Sequence, residues 1–168
     1  EHTYKAIQML LDAGVTTNIH YVLGNNSIDE AIEMLENNSF PEGINAVIFL
    51  LHKPVGLGQE ANVLKADDER VRRFFRLIDE RKFPFQIGFD SCSCAGIVNN
   101  TKRIDMTSID FCEGGRFSAY IDADMNMMPC SFANQDSSWF VSLKECSVQE
   151  AWNSEVFDRF RYSLWNSC

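Results

Sequence analysis

The sequence has little positive charge. It contains 15 Lys and Arg residues against 24 Asp and Glu residues, which gives a formal net charge of −9. A domain that binds nucleic acid needs a basic face to neutralise phosphates. The composition therefore argues against nucleic acid as a partner, and we interpret the dispersed acidic residues as an ordinary solvated surface.

Long hydrophobic runs are also missing. No apolar stretch approaches the roughly 20 residues that a membrane-spanning helix requires, and no secretory signal pattern is visible. We therefore expect no membrane partner and a cytoplasmic location. In a reducing cytoplasm, clustered cysteines bind metal more often than they form disulfides.

The sequence lacks an initiating Met and stops on Cys168, directly after a helical pattern. We therefore expect this chain to be part of a longer protein.

The six cysteines include no Cys-x-x-Cys pair. Cys92, Cys94, Cys112 and Cys130 nevertheless lie in predicted loops or at hairpin ends, where thiolates suit zinc or an iron–sulfur cluster. The alternative is that they are scattered buried thiols that act as small hydrophobic residues. Cys146, just before a helix start, is interpreted as structural.

Residues 1–90 alternate between helical and strand patterns. Alternation with short connections predicts an α/β fold with a parallel sheet, and the near-continuous apolar run at 44–51 predicts a strand buried on both faces. Ser27 and Glu30 have the spacing of a capping box. The predicted elements are helices at 3–13, 28–37 and 67–81 and strands at 15–23, 44–51 and 83–89.

The character of the sequence changes near residue 90. Alternating apolar residues from Phe117 to Ile121, a polar turn at 122–126 and a second apolar run predict a β-hairpin. Such a hairpin brings its two ends together, so we expect Cys112 and Cys130 to be neighbours. A capping box at 147–150 then opens a helix that leads to Cys168.

These residues resemble the start of the SPASM region that follows the barrel of radical SAM (S-adenosylmethionine) enzymes. Cys112 and the Pro129-Cys130 pair resemble its first two cysteines, and Trp152-Asn-Ser with Phe157, Arg159 and Arg161 resembles its helix. One departure is Met125, which stands where the family has Gly; Asn126 is expected to serve in that turn instead.

The resemblance implies a fold and a set of cluster ligands. Residues 1–90 would be the last β/α units of a partial (β/α)6 barrel, and residues 91–168 an incomplete SPASM or twitch-like hairpin and helix. Cys112 and Cys130 would bind a first auxiliary [4Fe-4S] cluster, with another ligand from Cys92 or Cys94. Cys168 would belong to a second cluster.

The resemblance also implies contacts to SAM in the barrel half. His20 lies on the polar face of its strand, where the family faces SAM or substrate; a packed core histidine is the equal alternative. Backbone near Val55–Leu57 would contact the adenine of SAM, since this loop follows a strand at its C-terminal end.

The implied function is radical chemistry. The full-length enzyme would cleave SAM and act on a peptide, protein or small-molecule substrate, with flavodoxin or ferredoxin as electron donor. The SAM-cluster motif Cys-x-x-x-Cys-x-x-Cys is absent, so we expect it upstream of Glu1 and expect this chain alone to be inactive. The alternatives are a non-catalytic zinc- or iron–sulfur-binding α/β module, or a plain α/β domain with unligated cysteines.

Overall fold

The structure is a computed structural model that describes residues 2–104, 111–133 and 136–167. It is a mixed α/β chain with two sheets. The helices are α1 (His2–Asp12), α2 (Ile28–Asn37), α3 (Glu69–Glu80), α4 (Cys94–Asn100), α5 (Val148–Trp152) and α6 (Glu155–Ser167). The strands are β1 (Asn18–Leu23), β2 (Ala46–Leu51), β3 (Gln86–Phe89), β4 (Tyr120–Ile121), β5 (Asn126–Met128) and β6 (Val141–Ser142).

The first sheet is parallel and has the order β1-β2-β3. Ala46 in the middle strand pairs in register with Asn18 on one side and with Gln86 on the other. The predicted α/β class and the parallel pairing are therefore confirmed. Among the described residues the strands form no closed barrel, and the partial (β/α)6 barrel stays a prediction.

The core of this part lies between the sheet and its helices. Val47 and Phe49 of β2 are fully buried, and the Phe49 ring packs edge-on against Phe74 of α3 at a centroid separation of 4.9 Å. Edge-to-face aromatic pairs at this distance stabilise a core beyond simple burial. The helix residues buried in the same cluster are Ile7, Ile28, Ala31, Ile32, Leu35, Val71, Phe74, Phe75, Ile78 and Ile97.

The opposite face of the sheet is more open than the sequence predicts. Ile48 and Leu50 of β2 are only half-buried, and their β1 neighbours His20 and Val22 are exposed. Burial of β2 on both faces is thus wrong for the described residues, because the helices that contribute to the core pack with Val47 and Phe49.

The predicted capping box at Ser27 is also wrong. Its hydroxyl accepts a 2.9 Å hydrogen bond from the Gly24 amide and donates a 2.7 Å bond to the Val22 carbonyl. No side-chain cap bond is made at this end of α2. The hydroxyl instead shapes the turn that leaves β1, since hydroxyl side chains readily bond to nearby backbone.

The second sheet is antiparallel, with the order β4-β5-β6. The hairpin is confirmed, with Tyr120 opposite Met128 and Ile121 opposite Met127. Its first strand is shorter than predicted, because Phe117 lies in a turn and is 85% exposed.

Two helices follow where the sequence predicts one. The capping box between Ser147 and Glu150 is confirmed, but the helix it starts ends at Trp152, and α6 begins at Glu155. Ala151 and Phe157 are buried with Met127 in a second, smaller core.

The chain divides into two compact units. One comprises residues 1–54 and 58–110, and the other comprises residues 55–57 and 111–168. Cys92 and Cys94 belong to the first unit, and the predicted domain boundary near residue 90 stays a prediction. Within the described part of the chain, no helix is long and apolar enough to cross a membrane.

Candidate metal centre

The segments that carry Cys112 and Cys130 approach each other at the base of the hairpin, as the surroundings of Gly114 show. A Cβ added to Gly114 would lie 3.5 Å from the Cys112 sulfur and 3.0 Å from the carbonyl oxygen of Pro129, the residue before Cys130. The Cys112 segment and the Pro129–Cys130 segment therefore approach each other closely at Gly114, which has no side chain to keep them apart. The predicted pairing of the hairpin ends is consistent with this geometry.

The Cys130 sulfur accepts a hydrogen bond from backbone. The Phe132 amide donates to Sγ at 3.4 Å, across a short 3₁₀ turn at Ser131–Ala133. Such N–H···S bonds to cluster sulfurs help to set reduction potentials. Both Cys112 and Cys130 are half-buried, which leaves them accessible to a metal.

The turn between the two strands is held by one carboxylate. Asp122 accepts hydrogen bonds from the Asp124 amide at 2.9 Å and from the Asn126 amide and side chain at 2.8 and 3.0 Å. The bond from the Asn126 side chain, followed by the backbone bonds, holds the pKa of Asp122 below its ordinary value. The turn that joins the cysteine-bearing strands is thus locally stabilised.

Met125 itself takes the left-handed conformation in this turn, with φ of 66°. Asn126, which the sequence analysis put forward for that conformation, is instead in β5 and is bonded to Asp122. That expectation is wrong, because the side-chain amide of Asn126 is used to bind the carboxylate.

Helix α6 is anchored on the same turn as Cys112. Arg161 donates from Nε to the Gly115 carbonyl at 2.6 Å, and a Cβ on Gly115 would lie 3.2 Å from the Phe160 ring and from Pro129. Sequence reasoning missed this junction. The adjacent pair Gly114-Gly115 was the signal, since close backbone approach commonly requires glycine.

Comparison of the sequence with known protein families gives a match to the part of the chain that contains this hairpin. Residues 112–168, about a third of the chain, match the model of the SPASM family, an iron–sulfur cluster-binding domain. Residues 112–168 are thus similar to a SPASM region. The match is consistent with the C-terminal SPASM region of a radical SAM enzyme. No curated protein and no solved structure is significantly similar to the chain.

The SPASM thiols fit the group that the family binds. Iron–sulfur clusters are held by Cys thiolates, and none of the five described cysteines forms a disulfide. Two thiol-bearing segments meet where Gly114 leaves space, and one of the sulfurs accepts an amide hydrogen bond. In the described part of the chain, no three His, Cys, Asp or Glu side chains form a group that could hold a metal ion.

Cys92 and Cys94 lie before the SPASM region, and the structure distinguishes them. Cys92 is exposed in the 3₁₀ turn Ser91–Ser93, whereas Cys94 starts α4 and is 3% exposed. The prediction of a loop is wrong for Cys94, because the chain enters α4 at that residue. Cys168 lies outside the described residues.

The turn that carries Cys92 is attached to the ends of two strands. The Ser93 hydroxyl donates to Asp90 Oδ1 at 2.7 Å, and Lys53 pairs with the other oxygen of Asp90. Lys53 and Asp90 follow β2 and β3, at the C-terminal edge of the parallel sheet. Sequence reasoning missed this ion pair, because its members are far apart in the chain.

The predicted SAM contacts are solvent-accessible. His20 is exposed, which contradicts the alternative of a packed core histidine. Val55 is half-buried, and Leu57 is fully exposed beside Gly56, whose φ is 59°.

Proposed function

We propose that the chain is part of a radical SAM enzyme whose SPASM region binds an auxiliary [4Fe-4S] cluster through Cys112 and Cys130. The observation that carries the proposal is the meeting of the two thiol-bearing segments at Gly114, inside the segment that matches an iron–sulfur cluster-binding domain. The hydrogen bond from the Phe132 amide to the Cys130 sulfur is of the kind that the sulfurs of protein-bound clusters accept.

Each part of the hairpin has a role in this proposal. The thiolates bind iron, the Phe132 amide orients and stabilises the Cys130 sulfur, and Asp122 keeps the intervening turn closed. When bound, an iron–sulfur cluster supplies one-electron redox chemistry. Burial and hydrogen bonds around the sulfurs are the means by which a protein adjusts that chemistry.

Cys92, rather than Cys94, is proposed as a further cluster ligand. Cys92 is exposed in a turn fixed by Asp90 and Ser93, whereas Cys94 is buried at a helix start. A cysteine that binds metal must be accessible to the metal. The burial of Cys94 opposes this access, whereas the exposure of Cys92 allows it. Cys168 is retained as a proposed ligand of a second cluster.

The remaining parts of the proposal concern the whole enzyme. SAM would be cleaved to a radical that acts on a peptide, protein or small-molecule substrate in the cytoplasm, with flavodoxin or ferredoxin as electron donor. His20 and the backbone at Val55 and Leu57 are proposed to face SAM. The exposure of His20 on one sheet face, at a strand of a parallel α/β sheet, supports this assignment.

Anaerobic reconstitution separates this function from its main alternative. The purified chain is supplied with iron and sulfide, or with zinc, and bound metal and acid-labile sulfide are measured. We expect a brown protein that contains both iron and sulfide. A colourless protein that takes up zinc and no sulfide would instead support a structural zinc module. Uptake of neither metal, even in a protein extended past Cys168, would contradict both.

The catalytic part is tested separately, in a protein extended toward its amino terminus. Such a protein, when reduced, is expected to form 5′-deoxyadenosine from SAM. Absence of this product from a fully loaded protein would contradict the radical SAM assignment without affecting the cluster-binding assignment.

A further inference from the structure

Arg161 of α6 makes an unusually complete set of contacts. Its Nε donates to the Gly115 carbonyl at 2.6 Å, its Nη2 to the Trp152 carbonyl at 2.8 Å, and its Nη1 to Asp158 at 2.8 Å. The guanidinium also lies over the Trp152 ring, 4.9 Å from the centroid. A planar, multiply bonded guanidinium of this kind fixes the position of each group that it contacts.

One of those groups belongs to the turn that carries the first thiol. Gly115 has φ of 65°, and its amide donates to the Ser118 carbonyl at 2.9 Å. Gly114, its neighbour, is the residue that lies against both the Cys112 sulfur and Pro129. The Gly115 carbonyl is therefore the point at which α6 is attached to the thiol-bearing turn.

A second arginine on the same helix provides a comparison. Arg159 also lies over a tryptophan ring, 4.6 Å from the Trp139 centroid, and also donates to a backbone carbonyl, that of Ser138, at 2.5 Å. Its contacts are thus similar in kind. They differ in place, because Ser138 and Trp139 lie in the connection before β6 and not in the turn at Cys112.

We propose that Arg161 is the positioning residue for the Cys112 ligand. It acts through its hydrogen bond to the Gly115 carbonyl, which holds the Gly114-Gly115 turn against Pro129 and so keeps the Cys112 sulfur beside the Cys130 segment. This inference rests on the proposed cluster-binding function. It assigns no contact between Arg161 and metal.

The experiment compares Arg161→Gln and Arg161→Met with Arg159→Gln in the full chain after anaerobic loading with iron and sulfide. Met keeps an apolar stem near Trp152 but removes every donor, so it separates hydrogen bonding from packing. The rate of iron release to an excess of chelator is measured on folded protein, together with the electron paramagnetic resonance spectrum of the reduced cluster and the melting temperature.

Loss of a group that orients a metal ligand typically weakens retention by about 10- to 100-fold. We expect both Arg161 variants to release iron at least about 10-fold faster than wild type and to change the resonance spectrum. Arg159→Gln should keep the wild-type spectrum and release iron at close to the wild-type rate, even if its melting temperature falls equally.

Two results would overturn the inference. One is release from both Arg161 variants at the rate seen for Arg159→Gln. The other is wild-type retention in Arg161→Met, since that would exclude the hydrogen bond as the cause. Failure of wild type itself to bind iron and sulfide is a different outcome, because it would contradict the proposed function.

Discussion

The Leu143 amide donates a 2.8 Å hydrogen bond to the carbonyl oxygen of Met125. This bond attaches the segment after β6 to the one residue of the hairpin turn that has a left-handed backbone, with φ of 66°. The hydrogen bond from Leu143 therefore holds Met125 in a backbone conformation that its own side chain disfavours. Left-handed conformation costs a non-glycine residue about 1–2 kcal/mol.

Met125→Gly is expected to stabilise the protein by about 1 kcal/mol, because glycine adopts positive φ without steric cost. The Met125 side chain is 46% exposed, so little burial is lost. The free energy of unfolding, measured with denaturant, checks this.

Met9→Gly is the matched control. Met9 is 72% exposed within α1, where glycine should destabilise by about 1 kcal/mol. Destabilisation by both substitutions would contradict the assignment of strain to Met125.

Gly114→Ala should disturb the thiol pair. The added Cβ would meet the Pro129 carbonyl at 3.0 Å, and backbone cannot move aside as a flexible side chain can. We expect destabilisation of about 1–3 kcal/mol from overpacking together with reduced iron and sulfide content.

Gly14→Ala supplies the comparison. A Cβ at Gly14 would meet nothing within 4 Å, although φ there is 71°. It should therefore lower stability through backbone strain and leave the iron content of the folded protein unchanged. Equal iron content in the two variants would argue against close packing at the thiols.

Stability of the hairpin is expected to fall in acid because of Asp122. Its pKa is lowered in the folded protein, chiefly by the Asn126 side chain, so folding favours the ionised form. This stabilisation is complete above the ordinary pKa of Asp and is lost as the pH falls through the lowered value.

Melting temperatures of wild type and Asp122→Asn, recorded against pH, check this. Their difference should be largest at neutral pH and should shrink in acid. Asp124→Asn is the control, since Asp124 contributes its backbone amide to the turn. A wild-type advantage over Asp122→Asn that stays constant into strong acid would contradict the role of this carboxylate.

Local patterns were sufficient for much of the fold. Parallel pairing followed from the alternation of helices and strands, and the capping box at Ser147 is correct because both partners lie within one turn. The same pattern failed at Ser27, where the hydroxyl is bonded to the strand before it. A spacing rule cannot show which of two nearby backbone partners a hydroxyl will select.

Features that depend on tertiary contacts were not predictable. The sequence of α4 includes glycine and two asparagines, which are weak helix formers, yet Ile97 is fully buried and Gly96 lies against Phe75. Packing on α3 therefore outweighs local propensity. The link from Arg161 to Gly115 likewise joins distant segments and has no local signature.

The approach of the segments that carry Cys112 and Cys130 was predictable, because a hairpin relates its two ends whatever its interior sequence. The difference in exposure between Cys92 and Cys94 was not predictable, since it depends on which side chain α4 buries.

The central claim is that Cys112 and Cys130 bind an iron–sulfur cluster, and it is tested most directly by cysteine replacement. Iron and acid-labile sulfide are measured after anaerobic reconstitution of wild type, Cys112→Ser, Cys130→Ser and Cys146→Ser. Cys146 is the matched control, because it is half-buried in the same unit and donates to the Ser142 carbonyl at 3.4 Å. The account predicts loss of iron and sulfide in the first two variants and wild-type content in Cys146→Ser. Wild-type content in Cys112→Ser and Cys130→Ser would contradict it.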